Sequence, residues 1–564
     1  MRFSYGIQNG LCSTLLCVAS ILTIERAEAV PLVGDAQKTC AALVQTIPVT
    51  SIGIKSGPAT LDSAMVTAAI PLAVAVRGPT PAARITPLTP PFCKVLGHIA
   101  PIDPQAPAIN FEINLPLDWN GRSLQYGGGG FNGVLTTGLG LPPAFPFDKA
   151  SPLAQGYVTY GTDSGHANKP NEDVQTFAAN DEAFVNFAHT SYKKVRDVAV
   201  ATMKLAYGKG PDKLYYMGSS EGGREALTMA QRYPRDFDGI FARVPVINWT
   251  GLIHASWQAG MVTRGDGYLG PAQVKLVHDA VLAACDESDG AKDGLVSNPV
   301  ACKRSFKIEK LLCSPGQGAD ACLTAAQVKS VQTMQAPYKF RRALANGLDD
   351  YPGWGLSGEA TPAFGPTGGW SSWWLGTSSP KNPPEPTNGI TWVFGSGAMR
   401  HIFARNPSLD ATAYKPDDHM KRIRQVSALM DSTDPDLSVF SARGGKLIML
   451  ENMADYAQSP YAGIRYFQAV VNELGQGDVR RFMRLYMAPG VDHVGSGAPA
   501  NVDMLAVLTD WVERGKAPGT LEVTEQTVET TPKVIRALPL CQWPMWPKFK
   551  GGDATLASSF ECAR

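Results

Sequence analysis

LYYMGSSEGGRE, residues 214–225, changes character halfway along. Leu214 to Met217 is apolar and aromatic and is bounded by glycine, the pattern of a short buried strand. From Glu221 to Tyr233 the residues suit a helix. Between the two, Gly218-Ser219-Ser220-Glu221-Gly222 matches G-x-S-x-G in the strand–turn–helix setting that a nucleophile elbow requires. The serine backbone is strained at such a turn, and side chains in place of the glycines would collide with the neighbouring strand and helix. Ser220 is therefore a candidate nucleophile, and Ser219 is a rival only if the turn shifts by one. The pentapeptide alone could equally be a glycine-rich β–α turn without chemistry; the flanking elements favour the reactive reading.

Working outward, the same alternation continues. Ala108–Leu115, Arg122–Tyr126, Gly156–Tyr160 and Asp238–Val246 read as strands, and Asn180–Ala206 carries apolar residues at helical spacing. The pattern returns with a strand at Lys446–Leu450, a helix at Tyr461–Leu474 and a strand at Arg481–Met487. Alternating β and α units predict an α/β fold with a parallel sheet. Residues 247–430 differ: they are rich in glycine, proline and tryptophan and read as an insertion between sheet strands. The expected organisation is one catalytic domain, 30–246 and 431–564, interrupted by a lid domain at 247–430.

A serine hydroxyl needs a base and a group to orient that base. Asp455 follows the strand Lys446–Leu450 and His493 follows the strand ending at Met487, so both sit past strand C-terminal ends, where open α/β sheets place their sites. The order Ser220, Asp455, His493 matches the nucleophile–acid–histidine order of such elbows. Asp492 competes for the acid role, but a direct sequence neighbour of the histidine usually points elsewhere. Gly127-Gly128-Gly129-Gly130-Phe131-Asn132-Gly133 follows a strand and lets backbone N–H groups approach a developing oxyanion. One of Gly128 to Gly130, with Gly129 at the centre, and the N–H of Glu221 are the expected donors. A phosphate-binding loop is the poorer reading, because no G-K-[ST] follows.

The chain has 564 residues, of which 51 are basic and 50 acidic, a net charge of +1. This balance offers no basic footprint for nucleic acid. Residues 1–29 read as a secretory signal: Arg2, an apolar stretch from Leu11 to Ile24, and Ala27-Glu28-Ala29 as cleavage site. No segment predicts a membrane anchor. The eight remaining cysteines, 40, 93, 285, 302, 313, 322, 541 and 562, predict disulfides in an exported chain, secreted or periplasmic. Eight cysteines allow 105 pairings. Sequence neighbourhood favours Cys285–Cys302, Cys313–Cys322 and Cys541–Cys562, which leaves Cys40–Cys93. In Cys285-Asp286-Glu287-Ser288-Asp289-Gly290-Ala291-Lys292-Asp293-Gly294-Leu295, the closely spaced aspartates suit Ca²⁺. The spacing is not that of an EF-hand, and a bare acidic loop is usually just solvated.

Taken together, GGGGFNG at 127–133, YGTDSGH at 160–166, GSSEGGRE at 218–225, QRYPRDFDGI at 231–240, CDESDGAKDGL at 285–295 and WVERGKAP at 511–518 resemble the tannase/feruloyl esterase family of α/β-hydrolases. The resemblance covers roughly residues 35–564. It implies an α/β-hydrolase core with a large lid inserted between sheet strands, and a triad falling on Ser220, Asp455 and His493. It also implies a structural calcium ion held by the side chains of Asp286, Asp289 and Asp293 and the carbonyls of Ala291 and Leu295. Two departures stand out. The family usually joins a cysteine before the nucleophile to one after the catalytic histidine; here these positions are Ser219 and Val494. The family commonly has His-Gly ahead of its Ala-Asp; here Glu451-Asn452-Met453 precede Ala454-Asp455.

The resemblance implies a serine carboxylesterase acting on small aromatic-acid esters of feruloyl, galloyl or terephthalate-monoester type. A non-catalytic binding protein on the same scaffold would lack a triad member, and none is missing; an acyltransferase on the same triad is the other alternative. Phe364, Trp370, Trp373 and Trp374 are candidate stacking surfaces for a planar acyl group. Arg400 and Arg405 are candidate partners for a substrate carboxylate.

Overall fold

In the computed structural model, residues 30–76, 83–318, 320–361 and 368–564 are described; the expected signal segment at 1–29 and Phe364 lie outside them. Twelve strands form the main sheet: β1 (Thr46–Ile47), β2 (Ala59–Thr67), β3 (Phe92–Ile99), β4 (Ile109–Pro116), β5 (Arg122–Tyr126), β6 (Val158–Thr162), β7 (Lys213–Ser219), β8 (Gly239–Arg243), β9 (Lys446–Asn452), β10 (Met483–Ala488), β11 (Leu521–Gln526) and β12 (Val534–Gln542). Their spatial order is 11-12-10-9-8-7-5-6-4-3-2-1. The central six, 10-9-8-7-5-6, are parallel. Antiparallel strands extend both edges.

The parallel sheet expected from the β/α alternation is thus the middle of a larger mixed sheet. The antiparallel wing β1–β4 lies N-terminal to most of that alternation. Predicted strand bounds shift by small amounts: Gly156–Tyr160 is realised as Val158–Thr162, and Asp238–Val246 shortens to Gly239–Arg243. Arg481 belongs to the short helix Gln476–Phe482 and the strand begins at Met483.

The central strands are buried on both faces, so they carry nearly continuous apolar runs. Successive side chains point to opposite faces. Tyr216, Ile240, Ala242, Leu447, Met449, Leu485 and Met487 pack on one face against helices α2 (Glu221–Arg232) and α5 (Pro460–Leu474). Tyr215, Met217, Phe241, Ile448, Leu450 and Tyr486 pack on the other against α6 (Met504–Arg514). Helix α1 (Ser191–Tyr207) covers β3, β4 and β6 through Val195, Val198, Ala199 and Met203. A π-helical turn, Asn186–Thr190, leads into α1, and Gly208, in the left-handed conformation, ends it.

Among the described residues, the chain between β8 and β9 adds no strand to the main sheet. It contains α3 (Trp249–Val262) and α4 (Ile390–Ala398), and its Trp354, Trp370, Trp374 and Ile402 belong to an apolar cluster shared with Phe131, Phe184 and Phe187 outside the segment. Asn248, the first residue of a glycosylation sequon, is buried, and its side chain caps α3 by accepting from the Gly251 N–H. No helix among the described residues is long and apolar enough to cross a membrane.

Candidate active site

Ser220 stands at the end of β7 with φ 61° and ψ −121°, a strained backbone for a residue other than glycine. Its N–H donates to the Arg243 carbonyl at 3.0 Å, and its carbonyl accepts from the N–H groups of Arg224 and Val246. The glycines on either side are steric necessities: a Cβ on Gly218 would lie 2.1 Å from the Gly222 carbonyl oxygen, and one on Gly222 would lie 2.6 Å from that of Gly128. The turn therefore has the expected form. Ser219 is the last residue of β7 and pairs with Arg243 of β8.

His493 follows β10. Its Nε2 lies 2.9 Å from Ser220 Oγ and its Nδ1 lies 2.7 Å from Asp455 Oδ2. Asp455 is buried and its other oxygen accepts the N–H groups of Ala457 and Gln458 at 2.7 and 3.0 Å, which fixes the carboxylate. The competing Asp492 is turned into its own loop, where Oδ1 accepts from the N–H groups of Val494, Gly495 and Ser496. Asp492 thus shapes the histidine loop, and Asp455 is the carboxylate in contact with the imidazole.

The glycine loop after β5 meets the other side of Ser220. The Gly127 N–H donates to the Met217 carbonyl and that of Gly128 to Glu225 Oε2. Those two groups are committed to holding the loop. Gly129 and Gly130 face the cavity beside Ser220, with Gly130 at φ 60°. Glu221 is the first residue of α2, so its N–H has no acceptor within the helix. Its carboxylate turns away into a buried pair with Arg224, Oε1 accepting from Nε at 2.7 Å; burial still pushes that carboxyl up to about 7.

Glu225 was not singled out in the sequence. Its two oxygens accept from Gly128 N–H, Asn132 Nδ2 and the Tyr216 hydroxyl, tying the glycine loop to β7 and α2. Its place one helical turn beyond Ser220 in GSSEGGRE was the available signal.

A cavity of about 520 Å³ opens above Ser220 and His493. Trp249, Leu252, Ile253, Trp373, Ile390 and Phe394 from the 247–430 segment give it apolar walls. Trp373 lies 5.8 Å from the His493 ring. Trp370 and Trp374 do not line it: they stack on each other at 4.7 Å inside the core of the segment. Nor do the two arginines expected near a substrate carboxylate. Arg400 is paired with Asp173, as is His401, and Arg405 with Asp181. Ser219 and Val494 both line the cavity.

The four disulfides pair as expected, Cys40–Cys93, Cys285–Cys302, Cys313–Cys322 and Cys541–Cys562. In the acidic loop, Asp286 and Asp289 are nearly buried. Asp289 Oδ2 and Asp293 Oδ2 are buried without a hydrogen-bond partner. Burial raises the Asp293 pKa, and the charges of Asp289 and Asp286 raise it further. Orphaned carboxylate oxygens crowded by like charge fit a hard cation. Among the described residues no three His, Cys, Asp or Glu side chains converge closely enough to hold a metal by themselves. A site here therefore needs backbone carbonyls as further donors.

The sequence model described as "Tannase and feruloyl esterase" matches residues 93–563. The chain belongs to this family. It is 36% identical over 496 residues to an uncharacterised esterase of Agrobacterium fabrum, covering 84% of this chain and 85% of the relative. It is 30% identical over 542 residues to mono(2-hydroxyethyl) terephthalate hydrolase of Piscinibacter sakaiensis, covering 86% and 87%. Among solved structures, feruloyl esterase B from Aspergillus oryzae superposes with a TM-score of 0.73 at 24% identity, covering 94% of this chain and all of that one, which establishes the shared fold. This member of the tannase and feruloyl esterase family is a carboxylic ester hydrolase with an α/β-hydrolase fold.

Proposed function

We propose that this chain is a secreted serine esterase that hydrolyses small aromatic-acid esters through an acyl-enzyme. The observation that carries this reading is the continuous contact Asp455–His493–Ser220 at the floor of an aromatic-walled cavity. Ser220 Oγ attacks the ester carbonyl while His493 Nε2 takes its proton. Asp455 holds the imidazole and stabilises the cation that forms. The N–H of Glu221 and that of Gly129 bind the oxyanion, a contribution of about 2.7–4 kcal/mol per donor. His493 then protonates the leaving alcohol, and water attacks the acyl-enzyme by the reverse path.

Residues 247–430 act as the lid that supplies the cavity's apolar walls. Trp373 is the stacking surface best placed for a planar acyl group. Relatives named for feruloyl and terephthalate esters support that substrate class. Export is supported by the signal-like N-terminus and by four disulfides, which persist in oxidising compartments. In the acidic loop, Asp286, Asp289 and Asp293 with the carbonyls of Ala291 and Leu295 would hold Ca²⁺. The ion would neutralise the crowded carboxylates and stiffen a loop clamped by Cys285–Cys302.

A chromogenic aryl ester assayed on the parent and on Ser220→Ala tests the mechanism. Loss of turnover in the variant supports it, and unchanged hydrolysis overturns it. Methyl gallate, methyl ferulate and a terephthalate monoester then rank the acyl groups.

A further inference from the structure

Arg243 ends β8 and lines the cavity beside Ser220, His493 and Val494. It is only 6% exposed. Among the described residues it forms no ion pair, whereas the fully buried Arg224 is matched by Glu221. The hydrogen bond from its guanidinium runs from Nη2 to the His493 carbonyl at 3.4 Å, the weak limit of such contacts, although the group carries five N–H donors. Neither nearby carboxylate hydrogen-bonds the guanidinium: Asp492 Oδ1 takes three backbone N–H groups while its Oδ2 is buried without a partner, and Asp455 takes His493. Asp492 and Asp455 act on Arg243 only through space, against a burial that disfavours its charge. Keeping an under-coordinated cation in an apolar cavity is costly unless something comes to meet it.

Its place says what that is. In the sheet, β7 lies between β5 and β8, so Arg243 stands across Ser220 from the glycine loop. The ester carbonyl oxygen is served from the glycine-loop side, which leaves Arg243 for a different group on the substrate. A guanidinium matches a carboxylate bidentately.

We propose that Arg243 is an anion subsite of the catalytic cavity and that it selects aromatic esters carrying a free carboxylate over their neutral counterparts. This rests on the serine-esterase reading above. The test measures kcat/KM on three substrates: monomethyl terephthalate (carboxylate on the acyl half), 4-carboxyphenyl acetate (carboxylate on the leaving half) and neutral dimethyl terephthalate. The parent, Arg243→Met, Arg243→Lys and Ser220→Ala are compared.

The parent should prefer a carboxylate-bearing ester in at least one arm, and that arm identifies the half of the substrate that meets Arg243. In Arg243→Met the ratio of charged to neutral kcat/KM should fall ten- to a hundred-fold, mainly through KM, with Arg243→Lys in between. Equal losses on charged and neutral esters would instead make Arg243 a strut of the His493 loop, and a parent without preference would also overturn the proposal. If Arg243→Met does not fold by circular dichroism, the same ratio read on Arg243→Lys decides. Activity persisting in Ser220→Ala would mark failure of the esterase mechanism rather than of the anion subsite.

Discussion

His493 Nε2 lies 2.9 Å from Ser220 Oγ across 273 residues of chain, and its Nδ1 lies 2.7 Å from Asp455. The imidazole is thus held in one orientation by a carboxylate that is itself fixed by two backbone N–H groups. Asp455→Asn keeps the shape but loses the charge and the preferred tautomer. We expect kcat to fall by about 10⁴-fold with little change in KM. Asp492→Asn should cost far less, because Asp492 organises its loop without touching the imidazole. Steady-state kinetics of the two variants check the assignment.

Glu225 bonds Gly128, Asn132 and Tyr216. Removing its carboxylate frees the glycine loop and leaves buried polar groups unpaired. Glu225→Ala should lower kcat by up to about 10²-fold, the scale of one misplaced oxyanion donor. It should also cost about 1–3 kcal/mol of stability. Single-turnover acylation rates and denaturant unfolding separate the two effects.

Glu451 is fully buried, and its carboxyl is pushed well above the usual range by burial and then by the charge of Asp455. Gln458 Nε2 donates to both acids. A carboxyl raised on folding contributes stability that is complete below its unfolded pKa and is lost as pH rises through the folded one. Glu451→Gln removes this loss. Its thermal midpoint should gain on the parent as pH rises from 5 to 9, by the equivalent of roughly 1–3 kcal/mol. A midpoint difference independent of pH would contradict the assignment.

If the Asp286–Leu295 loop holds calcium, chelation should lower the thermal midpoint by several degrees. Molecules that remain folded should keep their kcat/KM, because the loop's role is structural. Asp289→Asn should reproduce the shift and abolish its dependence on added Ca²⁺. Scanning calorimetry with and without chelator is the measurement.

No disulfide joins the nucleophile and histidine loops, since Ser219 and Val494 occupy those positions. Reductant should therefore remove activity only as the fold is lost. Breaking Cys40–Cys93, which spans 53 residues, should cost about 4 kcal/mol by loop-closure entropy. Early loss of activity in mild dithiothreitol, with circular dichroism intact, would show otherwise.

Local physics made much of this legible in the chain. Gly218 and Gly222 had to be glycines because the elbow leaves no room for a Cβ, and the apolar run before them reads as a buried strand and the run after them as a helix. The positions of Asp455 and His493 past strand ends followed from the same periodicity. The N-terminal antiparallel wing was less legible, because β2 carries small and polar residues with weak alternation, and its pairing with β3 is non-local.

The sequence alone therefore determined the parallel α/β core and the candidate triad and favoured three of the disulfides, since glycine sterics, strand periodicity and cysteine spacing are properties of short segments. Tertiary structure decided which side chains share the cavity. It sent Trp370 and Trp374 into a core and Trp373 to the wall. It paired Arg400 and Arg405 with distant acids, and it left Arg243 facing the site with most of its donors free. These outcomes depend on packing between elements hundreds of residues apart, where burial and charge pairing, rather than local propensity, choose the partners.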